Sequence, residues 1–147
     1  ADVLPTIFNK YPVRYRDYTL RELCQEMHSL YVSFDVKDLQ KVMFRQESLP
    51  AVAMNPQDAN SAFIRGDVEL VLICDAAGRV AAEGALPYPP GVLCVVPGEI
   101  WGGAVQRYFL ALEEGVNLLP GFSPELQGVY SETDADGIKR LYGYVVK

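Results

Sequence analysis

The chain has a single histidine, His28, and three cysteines, Cys24, Cys74 and Cys94, with no C-x-x-C spacing among them. Zinc centres and Ser/His/Asp or Cys/His nucleophiles draw on clusters of such residues, so a lone imidazole with no second ligand at suitable spacing argues against both. An odd, scattered set of thiols fits reduced cysteines better than disulfides, and all three are expected as small buried side chains of a cytoplasmic protein. No stretch approaches the ~18 consecutive apolar residues of a membrane helix, and no secretory signal opens the chain. No membrane partner is expected. Glycine-rich phosphate loops are missing as well, both G-x-G-x-x-G and the Walker type. Positive charge is in short supply: 13 Lys and Arg against 19 Asp and Glu give a formal net charge of -6. That balance argues against nucleic acid, whose binding depends on neutralising phosphates, and favours small cations at long range. The chain opens on Ala1 rather than methionine, which fits a cut or processed fragment as well as a complete product.

What is present suits one domain, residues 1–147, long enough to bury roughly 70% of the surface its unfolded form exposes. Residues 1–18 read as an irregular arm, with Pro5 and Pro12 interrupting any helix and Tyr11, Arg14, Tyr15, Arg16 and Tyr18 clustered together. Such a mix can bind single strands, but the acidic balance favours an arm that packs on a neighbouring domain. Thr19 and Glu22 form a capping box, and Leu20, Leu23, Cys24, Met27, Leu30, Tyr31 and Phe34 recur at helical spacing as a wide buried face. His28 lies on its flank. Asp35 can cap a second helix carrying Val36, Leu39, Val42, Met43 and Phe44, and Asn55-Pro56 starts a third that stops near Gly66.

The middle of the chain turns to strand spacing. Val68 to Ile73 is β-branched and apolar, Asp75 to Gly78 is turn-like, and Val80 to Ala82 can return as a partner strand; Cys74 to Gly78 can equally close one helical turn. Val92 to Val96 reads as a further short strand. After Gly102-Gly103, a helix carries Val105, Tyr108, Phe109, Leu112 and Val116 on one side, with Leu110 on the other as a hint of a second contact surface. Gly115 and Pro120-Gly121 are expected to end it. Asp134 to Gly137 is a hairpin turn between two strands. The fold class is therefore α+β: several helices packed on a small mixed or antiparallel sheet.

Two rigid motifs stand out, Leu86-Pro87-Tyr88-Pro89-Pro90-Gly91 and Pro97-Gly98-Glu99-Ile100-Trp101. Proline fixes φ and glycine admits conformations closed to other residues, so both segments hold their side chains at set positions on loops. Taken alone, Tyr88 reads more readily as a packed aromatic, and Glu99 as an acid complementing a nearby helix start. Glu113 and Glu114 are adjacent on a helix and point apart, so they form no dyad.

Together with Arg21-Glu22-Leu23-Cys24, Gly84-Ala85-Leu86, Gly121-Phe122 and Glu125-Leu126-Gln127-Gly128-Val129-Tyr130, these motifs resemble the C-terminal domain of the bacterial pyridoxal-phosphate-dependent ornithine/lysine/arginine decarboxylases, the biosynthetic ornithine branch above all. The resemblance covers about the last fifth of such an enzyme. It implies a domain that packs on the pyridoxal-phosphate-binding domain of the same enzyme, helps form a homodimer or higher oligomer, and walls the approach to the active site. The implied reaction takes L-ornithine to putrescine and carbon dioxide. Tyr88, Glu99 and Trp101 become candidates for the substrate channel. The family's cofactor lysine sits in a Ser-x-His-Lys setting, and none of Lys10, Lys37, Lys41, Lys139 and Lys147 follows a histidine. Catalytic, cofactor-binding and metal-binding residues are therefore not expected within this chain, which by itself should be inactive. The rival readings are a purely structural assembly module, the corresponding domain of a lysine or arginine decarboxylase, and an autonomous enzyme in which Glu99 and a second acid share a pocket.

Overall fold

The computed structural model describes residues 4–88, 91–122 and 124–147; Pro89 and Pro90 of the proline motif and residues 1–3 of the arm lie outside them. Among the described residues the order is α1 (Leu4–Lys10), α2 (Pro12–Tyr15), α3 (Leu20–Ser33), α4 (Val36–Val42), α5 (Pro56–Arg65), β1 (Val68–Leu72), β2 (Leu86–Tyr88), α6 (Gly103–Leu118), β3 (Glu125–Gln127), β4 (Tyr130–Thr133) and β5 (Lys139–Val146). Two small antiparallel sheets, β1-β5-β4 and β2-β3, accompany the helices. The expected α+β class holds, with the sheets antiparallel throughout.

The main core forms where β5 meets α6. Strand alternation buries Leu141, Gly143 and Val145 on one face of β5, and α6 meets that side with Val105 and Phe109, both almost fully buried. Polar groups on α6 complete the contact. The Glu113 carboxylate accepts from the Leu141 amide at 2.5 Å and from Arg140 Nη1 at 3.4 Å. Asn117 accepts from the Lys139 amide at 2.8 Å and donates to its carbonyl at 2.9 Å. Gln106 Nε2 donates to the Ile73 carbonyl at 2.7 Å, holding a single 3-10 turn over Ile73–Asp75 against the helix. The helical turn thus covers Ile73–Asp75 rather than Cys74–Gly78, and Ala77-Gly78 form the expected turn. On the outer sheet face Tyr144 meets Phe63 of α5 and Tyr130 of β4 edge-on, at 5.2 and 5.5 Å between ring centres. The expected hairpin is present, its turn pinned by Asp134 Oδ1 accepting from the amides of Asp136 and Ile138.

A second core lies along α3, where Tyr15, Leu23, Leu30 and Leu119 are buried together. It corrects the expectation for residues 1–18. Over its described part the arm is helical, because Pro12 stands at the first position of α2 and Pro5 in the first turn of α1, where a missing amide costs no helical bond. Its aromatic residues serve their own chain. Phe8, Tyr11, Tyr18 and Phe122 each meet the Tyr15 ring edge-on, and Tyr15 Oη donates to the Pro120 carbonyl at 2.9 Å. Arg14 pairs with Glu26 and donates to Tyr18 Oη at 2.8 Å.

Other expectations need correction as well. Leu110 is half-buried against the main core rather than presented outward. Gly115 lies inside α6, which runs to Leu118. Val80–Ala82 and Val92–Val96 form isolated bridges, Val80 with Ile100, Ala81 with Val145 and Ala85 with Val95, in place of strands. Asp35 does occupy the position before α4, but in the left-handed region at φ 50° with no side-chain bond to the helix. Of the three thiols only Cys94 is buried, and burial pushes it up to about 11; Cys24 and Cys74 are exposed.

Candidate functional site

The two rigid motifs lie on either side of a backbone neck. The Ala85 amide donates to the Val95 carbonyl at 3.0 Å, and the Cys94 amide donates to the Ala85 carbonyl at 2.9 Å, closing the loop that contains Tyr88. Within that loop Tyr88 stands opposite Glu125 in the β2-β3 ribbon and is exposed. Its ring lies over Gly91, which has φ 78°; a Cβ there would come within 2.9 Å of Tyr88 Cδ2. The glycine thus permits both the turn and the seat of the ring.

Glu99 falls outside the neck. Its Oε2 accepts from the Val96 amide at 2.7 Å, closing its own turn. Gly98, at the turn's centre, has φ 90° and packs so closely on Met54 that a Cβ would lie 2.4 Å from the Met54 carbonyl oxygen. Around this turn, Gly98 donates to the Ala81 carbonyl at 2.8 Å and the Ala81 amide donates to the Glu99 carbonyl at 2.7 Å. The carboxylate is therefore a brace for the turn, and no acid stands in the first turn of α6 to complement its dipole. Trp101 departs from the channel expectation altogether. It is 2% exposed, packs edge-on against Phe109 at 5.5 Å, and leaves its ring no outward face. Of the three channel candidates only Tyr88 presents an open side chain, and no hydrogen bond among the described residues links it to Glu99.

A feature not anticipated from the sequence adjoins the Tyr88 loop. Between α3, α4 and α6 opens a cleft of about 840 Å³, walled by Met27, Tyr31, Val36, Leu112 and Phe122, with Pro87 of the proline motif on one side. Inside it Gln40 Nε2 donates to Tyr108 Oη at 3.1 Å, while burial raises the Tyr108 phenol above its ordinary range, partly offset by that bond. His28, Asp35, Lys37 and Asp38 also line the cleft. Glu99 does not line it. Among the described residues no group of three or more His, Cys, Asp or Glu is placed to hold a metal ion. All five lysines are exposed. The one legible sign of the cleft was the apolar face of α3, wider than this chain can cover.

A family model described as "Orn/Lys/Arg decarboxylase, C-terminal domain" matches residues 37–147. The chain is 86% identical over its whole length to the constitutive ornithine decarboxylase of Escherichia coli, of which it covers 21%, and 68% identical to the inducible enzyme of that organism, of which it covers 20%. Among solved structures, that of the Escherichia coli constitutive lysine decarboxylase superposes with a TM-score of 0.83 at 32% identity, covering 99% of this chain and 20% of the other. The chain thus spans about a fifth of the length of the relatives it matches.

Proposed function

The chain belongs to the Orn/Lys/Arg decarboxylase C-terminal domain family, and we propose that it is that domain of an ornithine decarboxylase, acting within the full-length enzyme on L-ornithine to give putrescine and carbon dioxide. The observation that carries the ornithine reading is the identity across all 147 residues to an ornithine decarboxylase, far above that to the lysine enzymes. The parent enzyme uses pyridoxal phosphate, which supplies an electron sink for the carbanion left by decarboxylation. The cofactor is held outside this chain, on a domain against which this one packs, in a cytoplasmic homodimer or higher oligomer. No helix among the described residues is long and apolar enough to cross a membrane.

In this role the chain shapes the approach to the active site. Tyr88, exposed on a loop closed at its neck, offers a hydroxyl to the incoming substrate, and Glu99 acts indirectly by fixing the turn beyond that neck. The chain's formal net charge of -6 favours a substrate whose side chain ends in an ammonium group. The test is carbon dioxide release by the full-length enzyme from ornithine, lysine and arginine. Preference for ornithine is expected; preference for lysine or arginine transfers the domain to those enzymes, and turnover of none of the three refutes the reading. Tyr88→Phe in the full-length enzyme should lower kcat/KM roughly tenfold to hundredfold, the equivalent of one charged hydrogen bond of ~1.5–3 kcal/mol, with an unchanged Tm. Unaltered kinetics returns Tyr88 to packing alone.

A further inference from the structure

Helix α3 carries more apolar surface than its own chain covers. At 100° per residue, Leu20, Cys24, Met27 and Tyr31 form a stripe adjoining the one that buries Leu23 and Leu30. The first stripe is left open: Leu20 is 56% exposed, Tyr31 48% and the flanking Val32 60%, and Cys24 is exposed as well. Met27 and Tyr31 then lead into the apolar cleft against α4 and α6. A helix that is apolar over so wide an arc signals burial on both flanks, and a contiguous apolar surface of this kind marks an interaction site.

We infer that this stripe and cleft receive an apolar segment of the polypeptide that precedes the domain in the full-length enzyme. The inference rests on the reading of the chain as a C-terminal domain within a longer protein. About four-fifths of the relatives' length lies outside this chain, and the family match identifies it as C-terminal, so the missing polypeptide arrives through α1 and α2. These two helices already pack on the adjoining stripe of α3, through Ile7, Phe8, Tyr11 and Tyr15, in a cluster that Met27 also joins. The parent chain is thereby led to the open stripe. A small polar ligand is a poorer fit: His28, Asp35, Lys37 and Asp38 stand in the lining, but most of the walls are apolar, and the Tyr108 hydroxyl is already engaged by Gln40. Such sites recognise small ligands through a few convergent polar groups, whereas an apolar polypeptide segment needs only the surface that α3 and the cleft provide.

Cys24 reports on the stripe directly. In the native full-length enzyme its alkylation by iodoacetamide, followed by peptide mass spectrometry, should be roughly a hundredfold slower than in the denatured polypeptide, and dilution to single polypeptides should not change this. Val32→Asp in the same enzyme should release Cys24 to rapid alkylation and lower the Tm by about 3 °C or more relative to Ile64→Asp. The comparison is matched, since Ile64 is 76% exposed and both residues are the penultimate positions of their helices. Three results overturn the inference: Cys24 reacting in the native wild type as fast as when denatured, protection that vanishes on dilution and so belongs to a neighbouring copy, or equal Tm values for the two variants. Carbon dioxide release is a separate readout. An enzyme inactive on ornithine with Cys24 protected loses the substrate reading and keeps the docking one.

Discussion

The two longest helices use similar apolar content in opposite ways. In α6, Ala104, Val105, Tyr108, Phe109, Ala111 and Val116 are buried, and even Gln106 and Glu113 are enclosed, each with a backbone partner. In α3 only Leu23 and Leu30 are buried, although the apolar pattern runs the length of the helix. One helix is the hub around which this chain folds. The other is a boundary, half engaged with its own domain and half open. A pattern of apolar residues states how much surface must be covered, but not whether the cover comes from the same segment of polypeptide.

Substitutions on α6 test its place as the hub. Phe109→Ala should have the largest effect, ~3–5 kcal/mol of lost stability, because the ring is fully buried and deletion leaves a cavity beside Trp101. Denaturant unfolding of the chain measures it; a loss below that of an exposed residue would remove α6 from the centre of the core. Glu113→Gln should cost less, ~1.5–3 kcal/mol, through loss of charge-assisted bonds to the Leu141 amide and Arg140. An amide exchange experiment should show Leu141 losing protection first, because its amide then faces a weaker acceptor.

On α3 the effects should be smaller. Thr19→Ala removes the capping box, in which the Glu22 amide donates to Thr19 Oγ1 and the Thr19 amide donates to the Glu22 carboxylate. A loss of ~1 kcal/mol is expected. The bonds from Thr19 hold the Glu22 carboxyl below the usual carboxylate range. The contribution of Glu22 is therefore complete above its unfolded-state pKa and is lost as the pH falls through the lowered value. The gap between wild type and Thr19→Ala should accordingly narrow under acid without closing, since the Thr19 backbone amide survives the change and the bond from the Glu22 amide to Thr19 Oγ1 does not titrate; thermal unfolding followed as a function of pH measures it.

Local chemistry was legible wherever the decisive partners are near in sequence. The Thr19 cap, the Asn55-Pro56 start with Gly66 as its stop, and the Asp134–Gly137 hairpin all depend on residues a few positions apart, and all are present. What escaped depends on distant partners. Pro5 and Pro12 look like breakers until their places in the first turns of α1 and α2 are known. Val92–Val96 has strand composition, but its segment finds only the Ala85 bridge. Trp101 stands in a motif that suggested an outward role, yet tertiary packing turns it into the core. The rigidity of the Tyr88 and Glu99 segments could be read from proline and glycine; the neck that separates them could not, since it is formed by backbone groups of Ala85, Cys94 and Val95 that carry no side-chain signature.

The smallest effect is expected at Val32, and its sign is what matters. In this chain alone Val32 is 60% exposed near the end of α3, so Val32→Ala removes little packing. Alanine also avoids the restricted χ1 of a β-branched residue, which favours the helix by a few tenths of a kcal/mol, ~0.5 at most. The isolated chain should therefore be unchanged or slightly stabilised. In the full-length enzyme the same change removes two methyl groups from a surface that the parent polypeptide covers, and should destabilise by ~1 kcal/mol or more. Parallel unfolding of both proteins provides the measurement. Opposite signs would separate the boundary helix from the hub, because Phe109→Ala must destabilise both; a matching small gain in the full-length enzyme would mean that α3 remains open to solvent there as well.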